Sequence, residues 1–182
     1  HTNKEGFVVS SDSDWAGLYS TTGETRSRSG SCITLDGMPI SWGSQHQKCV
    51  GTSYKEGLDE AEVAQSSAEG ELYAAADTLK LALHMSYVAD ELNIPMPSPL
   101  IMLVDATAAI GKIQGPRGGG KLKHIDLRQD WIKLLKNRKI VEVVKVPGEA
   151  NPADCFTKIL GRVAFNKSES ELMGRIDGEG RK

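Results

Sequence analysis

The chain has 182 residues, a hydrophobic content of 39% and a formal net charge of −2, which is enough for one sizeable core and favours a single domain. The charge balance excludes a global field that recruits polyanions, so a nucleic-acid surface has to be a local patch. No apolar run approaches the roughly 20 residues of a membrane span, and the amino end lacks a signal-peptide pattern. The chain does not begin with Met, and its three cysteines are far apart. We therefore expect a fragment of a longer polypeptide in a reducing, intracellular compartment.

The first predicted element is a buried strand that ends in acids. Three consecutive apolar residues, 7–9, are followed by Ser10-Ser11-Asp12-Ser13-Asp14. Such a run is typical of a central strand that is buried on both faces. Asp12 then lies at the carboxyl end of the strand, where open α/β sheets bind ligands. Taken alone, an acid after a strand more often starts a turn.

Two further strands follow. Residues 18–29 are rich in Ser, Thr, Gly and Arg and predict an exposed loop. The alternating runs Ser31–Leu35 and Pro39–Trp42 flank Asp36-Gly37, a strong hairpin signal. Together with the first strand they predict an antiparallel meander. Residues 51–65 carry many acids and predict a solvated insertion.

The long central helix is predicted from a capping signal. Ser66-Ser67-Ala68-Glu69 matches the S-x-x-E capping box, with Ser66 as the N-cap. An apolar stripe continues to Asn93-Ile94-Pro95, where the helix ends. Glu71 falls at the margin of this stripe, because each residue turns the helix by about 100°. An acid at that margin either reaches water or lines a site.

The second half repeats the opening pattern. The apolar run 100–104 predicts a buried parallel strand that ends at Asp105, and residues 106–113 predict a short helix. Between Lys112 and Lys139 there are nine Lys or Arg residues against two Asp. This stretch suits an amphipathic helix, and its charges are either a polyanion footprint or a solvated helix face.

The last predicted elements are a strand over 140–146 and a final helix. Asn151-Pro152-Ala153-Asp154 opens that helix, with Pro152 at its first position. Asp154 then lies in the first turn, where the helix dipole favours an anion. Residues 161–182 are polar and predict a partly disordered tail.

Seven collinear blocks resemble the ribonuclease H (RNase H) domain of copia-type retrotransposons. The blocks are residues 11–17, 26–30, 39–42 with 47–48, 66–71, 104–106 with 109–110, 123–128, and 146–147 through 153–158. The resemblance implies an α/β, RNase H-like fold over residues 1–160. Its five-stranded mixed sheet, an antiparallel meander plus parallel strands, is flanked by helices.

The resemblance also implies an activity, which is cleavage of the RNA strand of an RNA–DNA hybrid with two Mg²⁺ ions, for which Mn²⁺ is a substitute. Asp12 is then expected to bridge both ions, Glu71 and Asp105 to hold one, and Asp154 to hold the other. The chemistry agrees, because Mg²⁺ prefers carboxylate oxygens and a two-ion site suits in-line displacement at phosphorus. Asp14 is the second choice for the bridging position.

Further expectations concern the substrate and the partners. Ser66 and Ser67 begin a helix whose amino end suits a phosphate. Substrate contacts are assigned to six residues: Ser13, Ser66, Ser67, Thr107, Lys121 and Lys123. A reverse transcriptase domain is expected upstream in the same polyprotein, inside a cytoplasmic virus-like particle, with no membrane contact. We expect weak hybrid binding by the isolated domain.

Some residues receive a structural interpretation instead. Trp15 and Trp42 are expected in the core, and His124 and Asp126 at structural or surface positions. Many cellular relatives carry a mobile His before the last acid, and Glu149 is the candidate substitute here. The alternative functions are a catalytically silent tether or hybrid-binding module and a transposase or integrase core. The order of the acids, with Glu71 before Asp105, favours the ribonuclease over the transposase.

Overall fold

The computed structural model of the chain describes residues 6–14, 27–47, 67–115 and 123–173. The predictions for Trp15, for the Ser66 cap, for Lys121 and for the insertion at 51–65 lie outside these residues. None of the helices in the described ranges has the length and apolar content required to cross a membrane.

A five-stranded mixed sheet forms the centre of the molecule. Strands β1 (Phe7–Asp14), β2 (Arg28–Leu35) and β3 (Met38–His46) form an antiparallel meander. Strands β4 (Leu100–Val104) and β5 (Val141–Lys145) add parallel pairs in the order β3-β2-β1-β4-β5. The predicted fold class is therefore confirmed. The predicted hairpin is also present, with positive φ at Asp36 (48°) and Gly37 (81°), as a two-residue turn of this kind requires.

Three helices cover one face of the sheet. They are α1 (Ser67–Glu91), α2 (Thr107–Gln114) and α3 (Lys123–Asn137). Alternate residues of the strands point toward them, and the buried cluster includes Phe7, Val9 and Met102. From the helices, Leu72 and Ile132 enter the same cluster. Since side chains alternate along a strand, the next residues in sequence face the other side of the sheet.

The second face carries a smaller apolar cluster, Val8, Leu103 and Val146. Near it the chain forms two short 3₁₀ turns, Gly148–Ala150 and Asp154–Phe156, and then helix α4 (Arg162–Leu172). A cavity of about 450 Å³ lies between α4 and this face, lined in part by Val8, Leu103 and Leu172.

The prediction of a final helix that begins at Pro152 is wrong, because the chain forms only a short 3₁₀ turn there. Asn151 ties this segment to the sheet, because its Nδ2 donates to the Ser11 carbonyl (2.9 Å) and its Oδ1 accepts from the Ala153 N–H (3.1 Å). These contacts hold a short turn in place of a continuous helix. Within the polar stretch 161–182, residues 162–172 form a helix that the sequence pattern does not predict. The expectation of a disordered end concerns residues 174–182, which lie outside the described residues. Val163 of that helix is largely exposed, and the apolar residues of the helix do not form the stripe that is typical of a buried face.

Two expectations about burial are also corrected. Residues 28–29, expected in a loop, belong to β2, and Ser27 and Ser29 are buried. Their polar side chains predicted exposure. The burial of polar groups depends on hydrogen-bond partners that are distant in sequence, which a local pattern does not indicate. Trp42 is 60% exposed and not in the core. It lies on β3, which is an edge strand of the sheet.

Candidate active site

The site begins where two parallel strands end side by side. Ser10 of β1 is paired with Leu103 of β4, so the same register brings Asp12 next to Asp105, directly after β4. Glu71 reaches them from the start of α1. One carboxylate oxygen from each of these three acids lies within 4.8 Å of the other two. We call Asp12, Glu71 and Asp105 the acid cluster.

Glu71 is buried, with 6% of its surface exposed. Its Oε1 accepts a hydrogen bond from the Ser13 N–H (3.2 Å), whereas its Oε2 has no hydrogen-bond partner among the described residues. Burial, together with the negative charges of Asp12 and Asp105, raises the pKa of Glu71 to about 8, although the Ser13 N–H acts in the opposite direction. Glu71 therefore lines a site and does not reach water, which answers the question that its sequence position left open.

Asp12 is 3% exposed and lies at the centre of the site. Burial raises its pKa, and the charges of Asp105 and Asp154 act in the same direction. Two groups oppose this rise: the Thr157 hydroxyl, which donates to Oδ2 of Asp12, and the charge of Lys158. The hydroxyl of Thr157 thus fixes one oxygen of the most buried acid of the cluster.

The acid cluster fits a divalent cation. Three carboxylates converge, and one of them keeps a buried oxygen to which none of the described residues donates. Buried acids repel one another unless a cation or a proton compensates them. Mg²⁺ is bound by such hard oxygens at about 2.1 Å and prefers them to other ligands. The donor set therefore suits Mg²⁺ or Mn²⁺.

Asp154 is held differently. It lies on the second 3₁₀ turn and is not part of the acid cluster, and its Oδ1 forms an ion pair with Nζ of Lys158. Its charge nevertheless acts on Asp12. Burial lowers the pKa of Lys158, but the hydrogen bond to Asp154 and the charges of Asp12, Asp154 and Asp105 outweigh burial, so the pKa is raised. Asp154 thus lies beside the cluster with a lysine as its counter-ion.

Gly30 allows the segment with Asp154 and Thr157 to approach the sheet. A Cβ at Gly30, the partner of Asp12 across β1 and β2, would lie 2.6 Å from the Ala153 carbonyl oxygen and 2.8 Å from Cγ2 of Thr157. Real Cβ contacts are not this short, and glycine is the residue that permits such an approach. The absence of a side chain at position 30 therefore sets the height of Asp154 and Thr157 above β1.

Gln47 is a site residue whose role sequence reasoning missed. Its buried Nε2 lies 3.0 Å from the hydroxyls of Ser13 and Ser29 and 2.9 Å from the Gly70 carbonyl oxygen. It thereby connects β1, β2 and the start of α1. This connection lies next to the hydrogen bond between Ser13 of β1 and Glu71 of α1. The only signal in the sequence was its place in one of the blocks that resemble copia-type RNase H domains, and such a resemblance does not reveal a contact.

The other predicted site residues are dispersed. Ser13 is half-buried and near the cluster, and Ser67 and Thr107 are exposed, with the Thr107 hydroxyl accepting a hydrogen bond from Lys145. Asp14 is half-buried, opposite Arg28 on β2, and outside the cluster. Glu149 is exposed. Ser66 and Lys121, and the side chains of Lys123, His124 and Asp126, lie outside what the structure describes.

Part of the basic stretch is used within the molecule. Arg128 lies over the Tyr73 ring, 3.9 Å from its centre, and Lys112 pairs with Glu69 (3.3 Å). Lys133 donates to the Gly115 carbonyl. These three side chains have structural contacts, so the count of positive charges overstates what is available to a polyanion.

Comparison with known proteins shows that the chain is similar in sequence to part of transposon polyproteins. No protein-family model matches it. It is 30% identical over 163 residues to the retrovirus-related Pol polyprotein from transposon TNT 1-94 of Nicotiana tabacum, a match that covers 90% of this chain and 11% of that protein. The corresponding protein from transposon RE2 of Arabidopsis thaliana is 31% identical over 89% of this chain and 10% of its own length. The chain thus spans about a tenth of these relatives.

Solved structures give the fold. The N-terminal RNase H domain of rv2228c from Mycobacterium tuberculosis superposes with a TM-score of 0.54 at 9% identity, over 90% of this chain and 96% of that one. LC11-RNase H1, isolated from compost, gives 0.53 at 17% identity, over 90% and 98%. At these identities the likeness shows a shared fold.

Proposed function

We propose that this chain, an RNase H-like domain homologous to the Pol polyproteins of copia-type retrotransposons, is an endoribonuclease that cleaves the RNA strand of RNA–DNA hybrids. The observation that carries the proposal is the acid cluster at the carboxyl ends of β1 and β4, one of whose buried oxygens receives no hydrogen bond from the part of the chain that the structure describes. A likeness of fold alone would leave the chemistry open. Converging acids, in contrast, favour a metal-assisted displacement at phosphorus.

The acids have separate roles in this proposal. Asp12, Glu71 and Asp105 would hold one Mg²⁺, and Asp12 and Asp154 would hold the second. When bound, two such ions lower the pKa of an attacking water and stabilise the leaving oxygen of an in-line displacement at phosphorus. The chain itself orients the carboxylates: the Ser13 N–H holds Glu71, the Thr157 hydroxyl holds Asp12, and Gln47 holds Ser13.

Substrate recognition is proposed for residues around this edge. Ser13, Ser67 and Thr107 are near the ends of the elements that carry the acids, where a sugar–phosphate backbone would pass. Ser66, Lys121 and Lys123 are assigned to the same backbone from the sequence alone. Discrimination of RNA from DNA would depend on contacts with the 2′-hydroxyl close to the acids.

The polyprotein setting supports a partner on the same chain. Because the relatives are about ten times longer, we propose that a reverse transcriptase domain upstream supplies much of the affinity for the hybrid, inside a cytoplasmic virus-like particle. The isolated domain then binds hybrids more weakly than the longer protein, which filter binding of both to one labelled hybrid measures. Equal dissociation constants would contradict this part of the proposal.

A cleavage assay tests the activity. A hybrid labelled on its RNA strand is incubated beside duplex RNA, single-stranded RNA and duplex DNA, each with Mg²⁺, Mn²⁺ or chelator. We expect cutting of the RNA strand of the hybrid only, with either metal and not with chelator. Absence of cutting under both metals, for the isolated domain and for the domain joined to its reverse transcriptase, would favour the alternative of a catalytically silent tether or hybrid-binding module.

A further inference from the structure

We infer that Lys158 is a built-in counter-cation of the acidic site, which holds Asp154 in the metal-free protein and competes with a divalent ion for that carboxylate. This role rests on the proposed function, because it takes Asp154 as a ligand of the second ion. It adds a residue to which neither the resemblance nor the acid cluster assigns a part.

The position of Lys158 carries the inference. Its ammonium forms an ion pair with Oδ1 of Asp154, which lies four residues earlier at the start of the second 3₁₀ turn. The same charge acts electrostatically on Asp12, Asp105 and Glu71. One lysine is thus in contact with Asp154, and its charge also acts on the three other acids, so it compensates negative charge where the second ion would be bound.

Other lysine pairs of the described residues differ in this respect. Lys80 pairs with Asp77 (3.2 Å) on the exposed side of α1, and Lys112 pairs with Glu69 (3.3 Å). Neither of these two acids belongs to the acid cluster. The pair of Lys158 is therefore distinguished by its acids and not by its geometry as an ion pair.

The lysine is also placed to leave. Its side chain is 50% exposed, and that of Asp154 is 24% exposed. Exposed pairs of this kind stabilise a protein little, and the flexible lysine stem lets the ammonium move into water. The pair occupies Oδ1 of Asp154, so a cation that binds this carboxylate competes with the ammonium, and the pair lowers the affinity for the second ion without blocking it.

The test is Mn²⁺ binding by isothermal titration calorimetry, with free Mn²⁺ counted by electron paramagnetic resonance. Removal of the charge in Lys158→Gln should strengthen the weaker of the two sites about fivefold, the size expected for a partly exposed ion pair. Lys158→Arg keeps the charge, because ammonium and guanidinium groups are both positively charged at neutral pH. The Mn²⁺ affinity of this variant should stay within about twofold of that of the wild type. Lys80→Gln, which removes an ion-paired lysine far from the acids, is the matched control and should bind Mn²⁺ as the wild type does.

Two further measurements separate competition from a structural role. In the Asp154→Asn background, Lys158→Gln should change Mn²⁺ binding much less than it does in the wild-type background, because the contested carboxylate is gone and only the effect of the charge on the other acids remains. Without metal, Lys158→Gln should lower the melting temperature more than Lys80→Gln does, and saturating Mn²⁺ should remove the difference.

The outcomes distinguish this role from the proposed function. Two Mn²⁺ sites in the wild type with an unchanged or weakened second site in Lys158→Gln would overturn the role of Lys158 and leave the ribonuclease proposal intact. A wild type that binds no Mn²⁺ would overturn both.

Discussion

Asp12, Glu71 and Asp105 lie on or directly after the regular elements of the core, whereas Asp154 lies on a 3₁₀ turn beside the second face of the sheet. The first three converge with no lysine in hydrogen-bond contact among the described residues. Asp154 has such a lysine. The acid cluster is thus fixed in position and has no paired cation within the described ranges, while the fourth acid is compensated and adjustable.

This difference has a physical consequence for metal binding. Rigid elements place three oxygens at one point at the cost of mutual repulsion, which a bound cation relieves. The turn with Asp154 is held by Asn151, Thr157 and the close approach at Gly30. We therefore expect the first ion to depend on the sheet, and the second to depend on the segment 151–158.

The largest expected effect is on catalysis by the acid cluster. Asp12→Asn should lower hybrid cleavage by more than about a thousandfold, because bound ions contribute several kcal/mol to such reactions. Asp14→Asn, a neighbour on β1 outside the cluster, is the matched control and should retain most of the activity. Single-turnover cleavage rates in Mg²⁺ measure both. Equal losses in the two variants would show that the cluster is not the reacting centre.

Gly30→Ala breaks the close approach of the second region. The new methyl group meets the Ala153 carbonyl and Thr157, so we expect the free energy of unfolding to fall by about 1–3 kcal/mol, the usual cost of overpacking. The weaker Mn²⁺ site should be lost before the stronger one. Chemical denaturation and calorimetry provide these values.

Gly111→Ala is the control for that experiment. A Cβ there would meet no heavy atom within 4 Å among the described residues outside its own helix backbone, and alanine favours the helix by up to about 1 kcal/mol. Its stability should be unchanged or higher. A Gly30→Ala protein as stable as Gly111→Ala, with both Mn²⁺ sites intact, would mean that the segment 151–158 does not require the approach.

Thr157 connects the two regions, because its hydroxyl donates to Asp12. Thr157→Val keeps the shape and removes the donor, and should weaken Mn²⁺ binding about tenfold, the lower end of effects from residues that orient metal ligands. Thr157→Ser retains the hydroxyl and should restore most of the affinity. If the valine and serine variants bind Mn²⁺ equally, the hydroxyl does not position Asp12.

The pH dependence of stability tests the uncompensated charge of the acid cluster. The pKa of Glu71 is raised from 4.5 to about 8 in the folded protein, so the folded state keeps a proton that the unfolded state has lost. The stability of the metal-free protein should therefore be full below about pH 4.5 with respect to this group and should fall as the pH rises toward about 8.

Glu71→Gln imitates the protonated carboxyl and should flatten that fall, which urea denaturation at several pH values measures. Saturating Mg²⁺ should reverse the trend in the wild type, because the ion binds the deprotonated form. An equally steep fall in the glutamine variant would assign the effect to other groups.

The acid cluster and the elements that carry it could largely be predicted from the sequence. The apolar run before Asp12 and the run before Asp105 predicted strands that end in acids, and the helix over residues 67–91 was predicted from its cap and stripe. These are local patterns. The prediction that Glu71 is a ligand still required the resemblance, because its position on the helix alone allowed either water or a site.

The structure of the segment 151–158 could not be predicted in this way. The contact between Thr157 and Asp12 joins residues 145 positions apart, and no local pattern encodes it. The turn at Pro152 was mistaken for a helix because the contacts of Asn151 are tertiary. The spacing of Asp154 and Lys158, four residues, was a signal for their ion pair, but it does not say which other acids the lysine would face.

The most direct test of the account is an anomalous difference map from crystals of the protein grown with Mn²⁺ above pH 8, where Glu71 is deprotonated. We predict a strong peak in contact with Asp12, Glu71 and Asp105, and a weaker peak at Asp154 from which the Lys158 ammonium has moved away. Ordered Mn²⁺ bound elsewhere, with no peak at the acid cluster, would contradict the account.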